Sequence, residues 1–278
     1  MHYIVLDSYH FRLPEMRNKE TIIRIGGATT KLDLAGVEDQ GRAREKMSSN
    51  DLAFLCHFLR QPARLVKLDL LLLHENAIGA AGCAAFAGAM ADAAADSLRS
   101  LGQLHLTGNP LGDMGCKQLM AAYFQAADAG STPLPNLREL HLGRCELGDK
   151  AAAAIGRAIA TPGAFAELTL LSLGQNKIAD DGCTSLSEAL AANGAAPKLV
   201  GLYLGRNQIG DGGTRALAST LASTKNGIAL HAVPCMPSLR QVHLFGNPQI
   251  TAVGRAAMDG ASTARGGGKY PAVTVDFE

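Results

Sequence analysis

A right-handed α/β solenoid, with parallel strands on its concave side and helices on its convex side, is the fold that three observations predict. The first is a spacing. Leu101, Leu104, Leu106 and Asn109 write LxxLxLxxN, and the same frame holds Leu68, Leu71, Leu73, Asn76, then Leu168, Leu171, Leu173, Asn176, then Leu199, Leu202, Leu204, Asn207. Cys145 replaces the asparagine after Leu137, Leu140 and Leu142, and Val242 replaces a leucine between Leu239 and Leu244, ahead of Asn247. The second is that residues beyond the asparagine stay in phase from one copy to the next. The third is that both ends of the array degenerate, as a stack must when it covers its terminal cores.

Within each LxLxx stretch alternate residues point the same way, so each copy contributes a short strand with leucines facing inward. The asparagine falls where the backbone leaves the strand, and its side chain there can bond loop amides that no ladder reaches. Ile78, Leu111, Leu147, Ile178 and Ile209 follow two residues later; Gly82, Gly115, Ala151, Gly182 and Gly213 follow six residues later. A helix then carries Phe86 and Met90, Leu119 and Tyr123, Ile155 and Ile159, Leu186 and Leu190, or Leu217 and Leu221, each pair four apart on one helical face. Asp113, Asp149, Asp180 and Asp211 read as the N-caps of these helices. After Asn247 one extra residue at a Pro248 turn delays Ile250 and Gly254, and Met258 takes the core position.

At the start, Tyr3 to Leu6 and Ile22 to Ile25 read as short strands. Leu32, Leu34 and Val37 form a degenerate first copy, with a helix from about Asn50 to Leu59. At the end Val273, Val275 and Phe277 alternate inward as a half copy. The expected division is a cap with the degenerate copy over 1–64, the array over 65–262 and a capping strand over 263–278.

The LxxLxLxxN frame resembles the leucine-rich repeat. Successive Asn-type positions at 76, 109, 145, 176, 207 and 247 lie 33, 36, 31, 31 and 40 residues apart, longer than the about 20–29 usual for this repeat. With a helix in every copy and an IGDxG-like step after the asparagine, the chain is similar to the ribonuclease-inhibitor type. Insertions at Ala129 to Pro135 and Asn226 to Pro237, rich in Gly, Pro, Ser or Asn, account for the surplus. The resemblance implies a horseshoe that presents a surface to proteins.

Composition narrows the alternatives. A chain of 278 residues, 47% hydrophobic, with 26 basic against 25 acidic residues, can bury a long core. Without a basic excess, counterion release could drive little nucleic-acid binding. Apolar runs stop well short of the about 18 residues of a membrane span, and Met1 to Arg12 carries His, Asp and Arg where a signal peptide would be apolar. An intracellular, cytoplasmic protein without membrane insertion is expected. Cys83, Cys116 and Cys183 share one position after the helix-start glycine, so with Cys145 four of the six cysteines follow repeat geometry. Buried free thiols are expected rather than disulfides or metal ligands, since no CxxC occurs; Cys56 and Cys235 are unassigned.

The outward positions of the strands are left to carry function. One column holds Asp33, Leu72, His105, His141, Ser172, Tyr203 and His243; the next holds Ala35, His74, Thr107, Gly143, Gly174, Gly205 and Phe245. Strands about 4.8 Å apart make His105 and His141 stacked neighbours. Such a pair could hold zinc with Glu139 or His74 as third ligand, or could make binding pH-dependent. The reading adopted is polar contact on an exposed sheet, with no metal and no cofactor. Leu72, His74, His105, His141, Arg144, Leu170, Tyr203, Arg206, His243 and Phe245 are the candidate partner-binding residues, because apolar groups mixed with Tyr and Arg are what binding hot spots contain. Gly143, Gly174, Gly201 and Gly205 are expected to leave a smooth trough between them.

Catalytic patterns fare poorly. GxSxG, HExxH and GxxxxGK[ST] are missing, and Gly266 to Lys269 reads as a loop. The expected function is a non-catalytic adaptor or structural subunit of a larger assembly, with the cytoskeleton one setting, that docks a protein partner on its concave face. One branch of ribonuclease-inhibitor-type proteins activates a small GTPase of nuclear transport, so a GTPase-activating protein is the alternative. The acidic tail of that branch is not matched by Val273 to Glu278, which holds two acids.

Overall fold

The computed structural model describes residues 2–6, 9–12, 21–25, 30–35, 46–60, 67–92, 96–128, 132–192, 195–225, 233–266 and 272–278. Val37, Ala129 to Ser131 of the first insertion, Asn226 to Ala232 of the second and Gly267 to Lys269 lie outside them. The chain divides into two compact units, Met1–His141 and Leu142–Glu278.

In the first unit, β1 (His2–Leu6), β2 (Tyr9–Arg12) and β3 (Thr21–Ile25) form a sheet in the order β2-β1-β3. The pair β1/β2 is antiparallel and β1/β3 parallel. The two expected strands are there, with an unexpected hairpin partner between them in sequence. The repeats follow as β4 (Lys31–Asp33), α1 (Ser49–Leu59), β5 (Leu70–Leu72), α2 (Ala80–Ala91), the short α3 (Asp96–Arg99), β6 (Gln103–His105), α4 (Gly112–Asp128) and β7 (Glu139–His141). Strands β4 to β7 run parallel in chain order, with Leu32, Leu71, Leu104 and Leu140 in one register and Asp33, Leu72, His105 and His141 in the next. The leucines are buried, and the helices pack α1 on α2 and α2 on α4 behind them.

The second unit comprises α5 (Asp149–Ala160), β8 (Leu170–Ser172), α6 (Asp180–Ala191), β9 (Gly201–Tyr203), α7 (Asp211–Ala222), the two-residue strands β10 (Thr224–Lys225) and β11 (Val233–Pro234), β12 (Gln241–His243), α8 (Ala252–Gly266) and β13 (Thr274–Asp276). Strands β8, β9, β12 and β13 are parallel neighbours, and β10 pairs β11 antiparallel where the second insertion begins and ends. Each unit thus has the leucine-rich-repeat alternation: strand, turn, helix, return. Every four-apart helical pair is buried, as is Met258, so the extra residue after Asn247 is absorbed where expected. Val273 of the last half copy is buried, whereas Val275 and Phe277 are half-buried.

The asparagines bind neighbouring copies together as well as closing their own turns. Asn207 accepts from the Ile178 amide at 3.1 Å and donates to the carbonyls of Leu173 and Leu204 at 3.0 Å each. Asn76, Asn109, Asn176 and Asn247 repeat the pattern within their units. Each spans the gap between two strand exits, where backbone groups lie buried beyond the ladder. At Cys145 the thiol donates to its own loop, to the Gly143 carbonyl at 3.2 Å.

The aspartates require a correction. Helices α5, α6 and α7 begin at Asp149, Asp180 and Asp211, and their N-caps are Gly148, Ala179 and Gly210, none with a side-chain capping bond. Each carboxylate instead caps the following helix. Asp149 Oδ1 accepts the Ala179 amide at 2.7 Å, Asp180 Oδ1 accepts Gly210 and Gly213 at 2.6 and 2.9 Å, and Asp211 Oδ1 accepts Thr251 and Gly254 at 2.8 and 3.0 Å. In the first unit Ser49 Oγ plays this part, accepting the Gly79 amide at 3.0 Å. The first-turn side chain leans across to the next repeat because helices stacked side by side bring one N-terminus beside the other, and four free amides at each need acceptors.

All six cysteines are free and buried, as expected. Burial pushes the thiols of Cys56 and Cys183 up to about 12, so they stay protonated. Cys183 packs on the next repeat, where its sulfur lies 3.4 Å from the Gly213 carbonyl.

Candidate functional site

The outward faces of the strands hold the candidate residues, in two groups. In the first unit Leu72, His105 and His141 stand in register on β5, β6 and β7, all half-buried by one another. The rings of His105 and His141 stack at 4.0 Å between centroids with 18° between planes, as the strand separation predicts. Glu139, two residues before His141 and on the same face, brings Oε2 to 3.2 Å from His141 Nε2. His105 Nε2 is buried and has no hydrogen-bond partner among the described residues. Burial first, then the neighbouring His141, lowers the His105 pKa to about 4, with His74 adding to the repulsion and Glu139 opposing it. At neutral pH this imidazole is uncharged with a lone pair to offer. Beside the cluster Arg138 clamps Asp69 through two bonds of 2.8 and 2.9 Å, bridging the starts of β7 and β5.

In the second unit Tyr203 and His243 are register partners on β9 and β12, and their rings meet edge to face at 4.3 Å. Tyr203 Oη reaches Gln241 Oε1 at 3.4 Å. His243 Nδ1 lies 3.1 Å from Asp276 Oδ2 on the terminal strand, and that contact holds the Asp276 carboxyl below its ordinary range. Arg206 sits over the Phe245 ring at 5.8 Å. Leu170 is half-buried at the start of β8, whereas Arg144 and Arg206 are exposed at strand exits.

The expected trough of glycines is partly filled. A Cβ on Gly205 would come within 2.7 Å of the Phe245 ring, and one on Gly201 within 3.4 Å of Tyr203. Phe245 lies on a glycine of the neighbouring repeat, and Tyr203 on a glycine of its own strand. Gly174, unlike Gly201 and Gly205, has no side chain near its missing Cβ, only the Gly205 carbonyl. The glycines therefore position the aromatics at least as much as they make room for a partner.

Glu139 entered the sequence analysis only as one option for a third ligand; Asp276, Gln241 and the Arg138–Asp69 clamp did not enter it. For Asp276 a signal was available: once Val275 alternates inward, Asp276 must face outward in the column of His243.

Residues 134–156, 168–187 and 195–218 match the family described as Leucine Rich repeat. Those three segments are similar to leucine-rich repeats, a class of domain that generally mediates protein–protein interaction through extended surfaces. Among solved structures an internalin C2 from Listeria monocytogenes is similar, at 19% identity over 88% of this chain and 80% of that one, with a TM-score of 0.41. No curated protein matches it in sequence. Among the described residues no helix is long and apolar enough to cross a membrane.

Proposed function

We propose that this protein is a non-catalytic protein-binding module of the ribonuclease-inhibitor type, acting as an adaptor or structural subunit of a larger assembly. The subtype is supported by a helix in every copy and by the cross-repeat carboxylate caps. A protein partner docks on the outward strand faces: Tyr203, Arg206, His243, Phe245, Leu170 and Arg144 in the second unit, and Leu72, His74, His105 and His141 in the first.

The observation that carries this reading is the cluster around Tyr203 and Phe245. Half-exposed aromatic rings are held in place by strand register, by glycines beneath them and by Arg206 and His243 beside them. Aromatic and arginine side chains that are already ordered lose little entropy on docking, so a larger share of their burial appears as affinity.

Cross-linking in a native extract followed by mass spectrometry tests the assembly role: several constitutive neighbours support it, and one dominant small-GTPase partner replaces it with GTPase activation. For the site, Tyr203→Ala combined with Phe245→Ala should weaken capture of those neighbours while leaving the thermal midpoint nearly unchanged. Undiminished capture would move the site off this face.

A further inference from the structure

We propose that His105, His141 and Glu139 form a binding site for a divalent transition metal, with zinc the preferred ion. Their ligand atoms all lie within 4.8 Å of one another, the one such group of three His, Cys, Asp or Glu side chains among the described residues. Two His and one carboxylate, all nitrogen and oxygen donors, are a set that zinc takes readily with a fourth position left for water or an incoming side chain.

Geometry distinguishes this cluster from a chance meeting of polar residues on a sheet. Zinc bonds of about 2.0–2.2 Å to nitrogen and oxygen, at a tetrahedral angle, set two ligands roughly 3.3 Å apart. The Glu139 Oε2 to His141 Nε2 separation is 3.2 Å, so a metal can replace the proton between them with little movement. His105 supplies the second observation: its Nε2 is buried without a partner, a cost that a bound ion would relieve. Binding requires the two rings to tilt from their 18° stack so that their nitrogens converge on one point. The residues come from adjacent strands whose register is fixed by the core leucines Leu104 and Leu140, so the ligands are held by the fold rather than by a loop.

From the sequence the pair reads as polar contact residues with no metal, because the strand frame places two imidazoles side by side without deciding whether Glu139 or His74 reaches them. His105 and His141 also belong to the proposed partner face, but the metal needs no partner in order to bind.

Isothermal titration of the full chain with zinc chloride tests it. One zinc per chain should bind, and the same site should take cobalt(II) with the visible absorption of a tetrahedral nitrogen and oxygen set. Even changes outside the ligand shell cost about 10–100-fold in affinity, so Glu139→Gln should weaken zinc at least about tenfold and His105→Gln or His141→Gln should abolish the one-to-one site. Independently of any variant, the imidazole NMR signals of His105 and His141 should shift on zinc addition. No measurable zinc uptake overturns the proposal. So does uptake that persists in His105→Gln, or zinc-induced shifts confined to other histidines. Tyr203→Ala with Phe245→Ala should leave zinc affinity as it is, which separates failure of the partner face from failure of this site.

Discussion

Asn207 shows how much one side chain can join in this fold. Its amide group holds the exit of its own strand and that of the preceding one with three hydrogen bonds inside the core. Asn207→Ala strands a buried amide and two carbonyls, each worth about 1–3 kcal/mol when unpaired, so urea unfolding should report a loss of about 3 kcal/mol or more. A loss within error of zero would mean that water replaces the ladder. The asparagine itself was legible from its spacing. The conformation of the residue before it was not: Glu75, Gly108, Arg144, Gln175, Arg206 and Gly246 all take positive φ, from 53° to 75°, immediately before the Asn or Cys. Only two are glycine. The other four hold a conformation that L residues usually avoid, because the turn geometry set by the following side chain overrides local preference.

Between elements, the N-terminal caps couple one helix to the next. The glycine six residues after the asparagine is explained by that coupling: a Cβ on Gly182 would come within 2.8 Å of the Asp149 backbone and 3.0 Å of the Ile178 side chain. Gly182→Ala should therefore cost about 1–3 kcal/mol, as overpacking does. Gly260, inside α8 with nothing within 4 Å of its missing Cβ, offers the control. Gly260→Ala should stabilise by about 0.4–1 kcal/mol, since only the unfolded chain loses freedom, and calorimetry on the two variants should move the midpoint in opposite directions. The caps also predict an acid sensitivity. Hydrogen bonds from the Thr251 hydroxyl and amide, and from the Gly254 amide, hold the Asp211 carboxyl below its ordinary pKa of 3.8. A carboxyl with a depressed folded pKa stabilises above its unfolded pKa, and that contribution is lost as pH falls through the folded value. Amide exchange in α8 should accelerate below about pH 4, and Asp211→Asn should flatten that acid dependence. An unchanged profile in the variant would place the acid response elsewhere.

Other features of the elements escaped sequence reasoning. Helix α1 starts with a reciprocal cap, in which Ser48 Oγ accepts the Asp51 amide while the Asp51 carboxylate accepts the Ser48 amide and hydroxyl. Helical periodicity identified that helix without needing the cap. The return loops share a buried residue three positions before the strand-entry leucine. Leu134, Phe165 and Ala196 all adopt positive φ there, and each accepts a 3.1 Å bond from the leucine amide. Their side chains differ too much for a sequence pattern to reveal them.

For the molecule as a whole, a stack stabilised by each repeat and its neighbours should respond to damage locally first. Leu204 and Leu173 are fully buried on adjacent strands of the second unit. Leu204→Ala should cost about 2–5 kcal/mol, and hydrogen exchange should loosen β8, β9 and β12 before the β4 to β7 strands of the first unit. Uniform loosening throughout both units would show that the chain unfolds as one cooperative body. The outward faces should respond in the opposite sense, since Tyr203 and Phe245 are half-exposed and their loss empties no core.

Period, spacing and composition reveal the repeat, its inward leucines, its helical faces and the columns that face outward, because burial imposes the same chemistry at the same place in every copy. Function falls at positions where no such constraint repeats. Which groups meet there depends on rotamers and on the register between strands far apart in sequence: Glu139 turning to His141, Phe245 lying on Gly205, Asp276 reaching His243, and Asp149, Asp180 and Asp211 each capping the next helix instead of their own. Apart from Glu139 and His141, which share one strand, those are through-space relations about 30–40 residues apart along the chain. Only the packed repeats bring them within hydrogen-bonding distance.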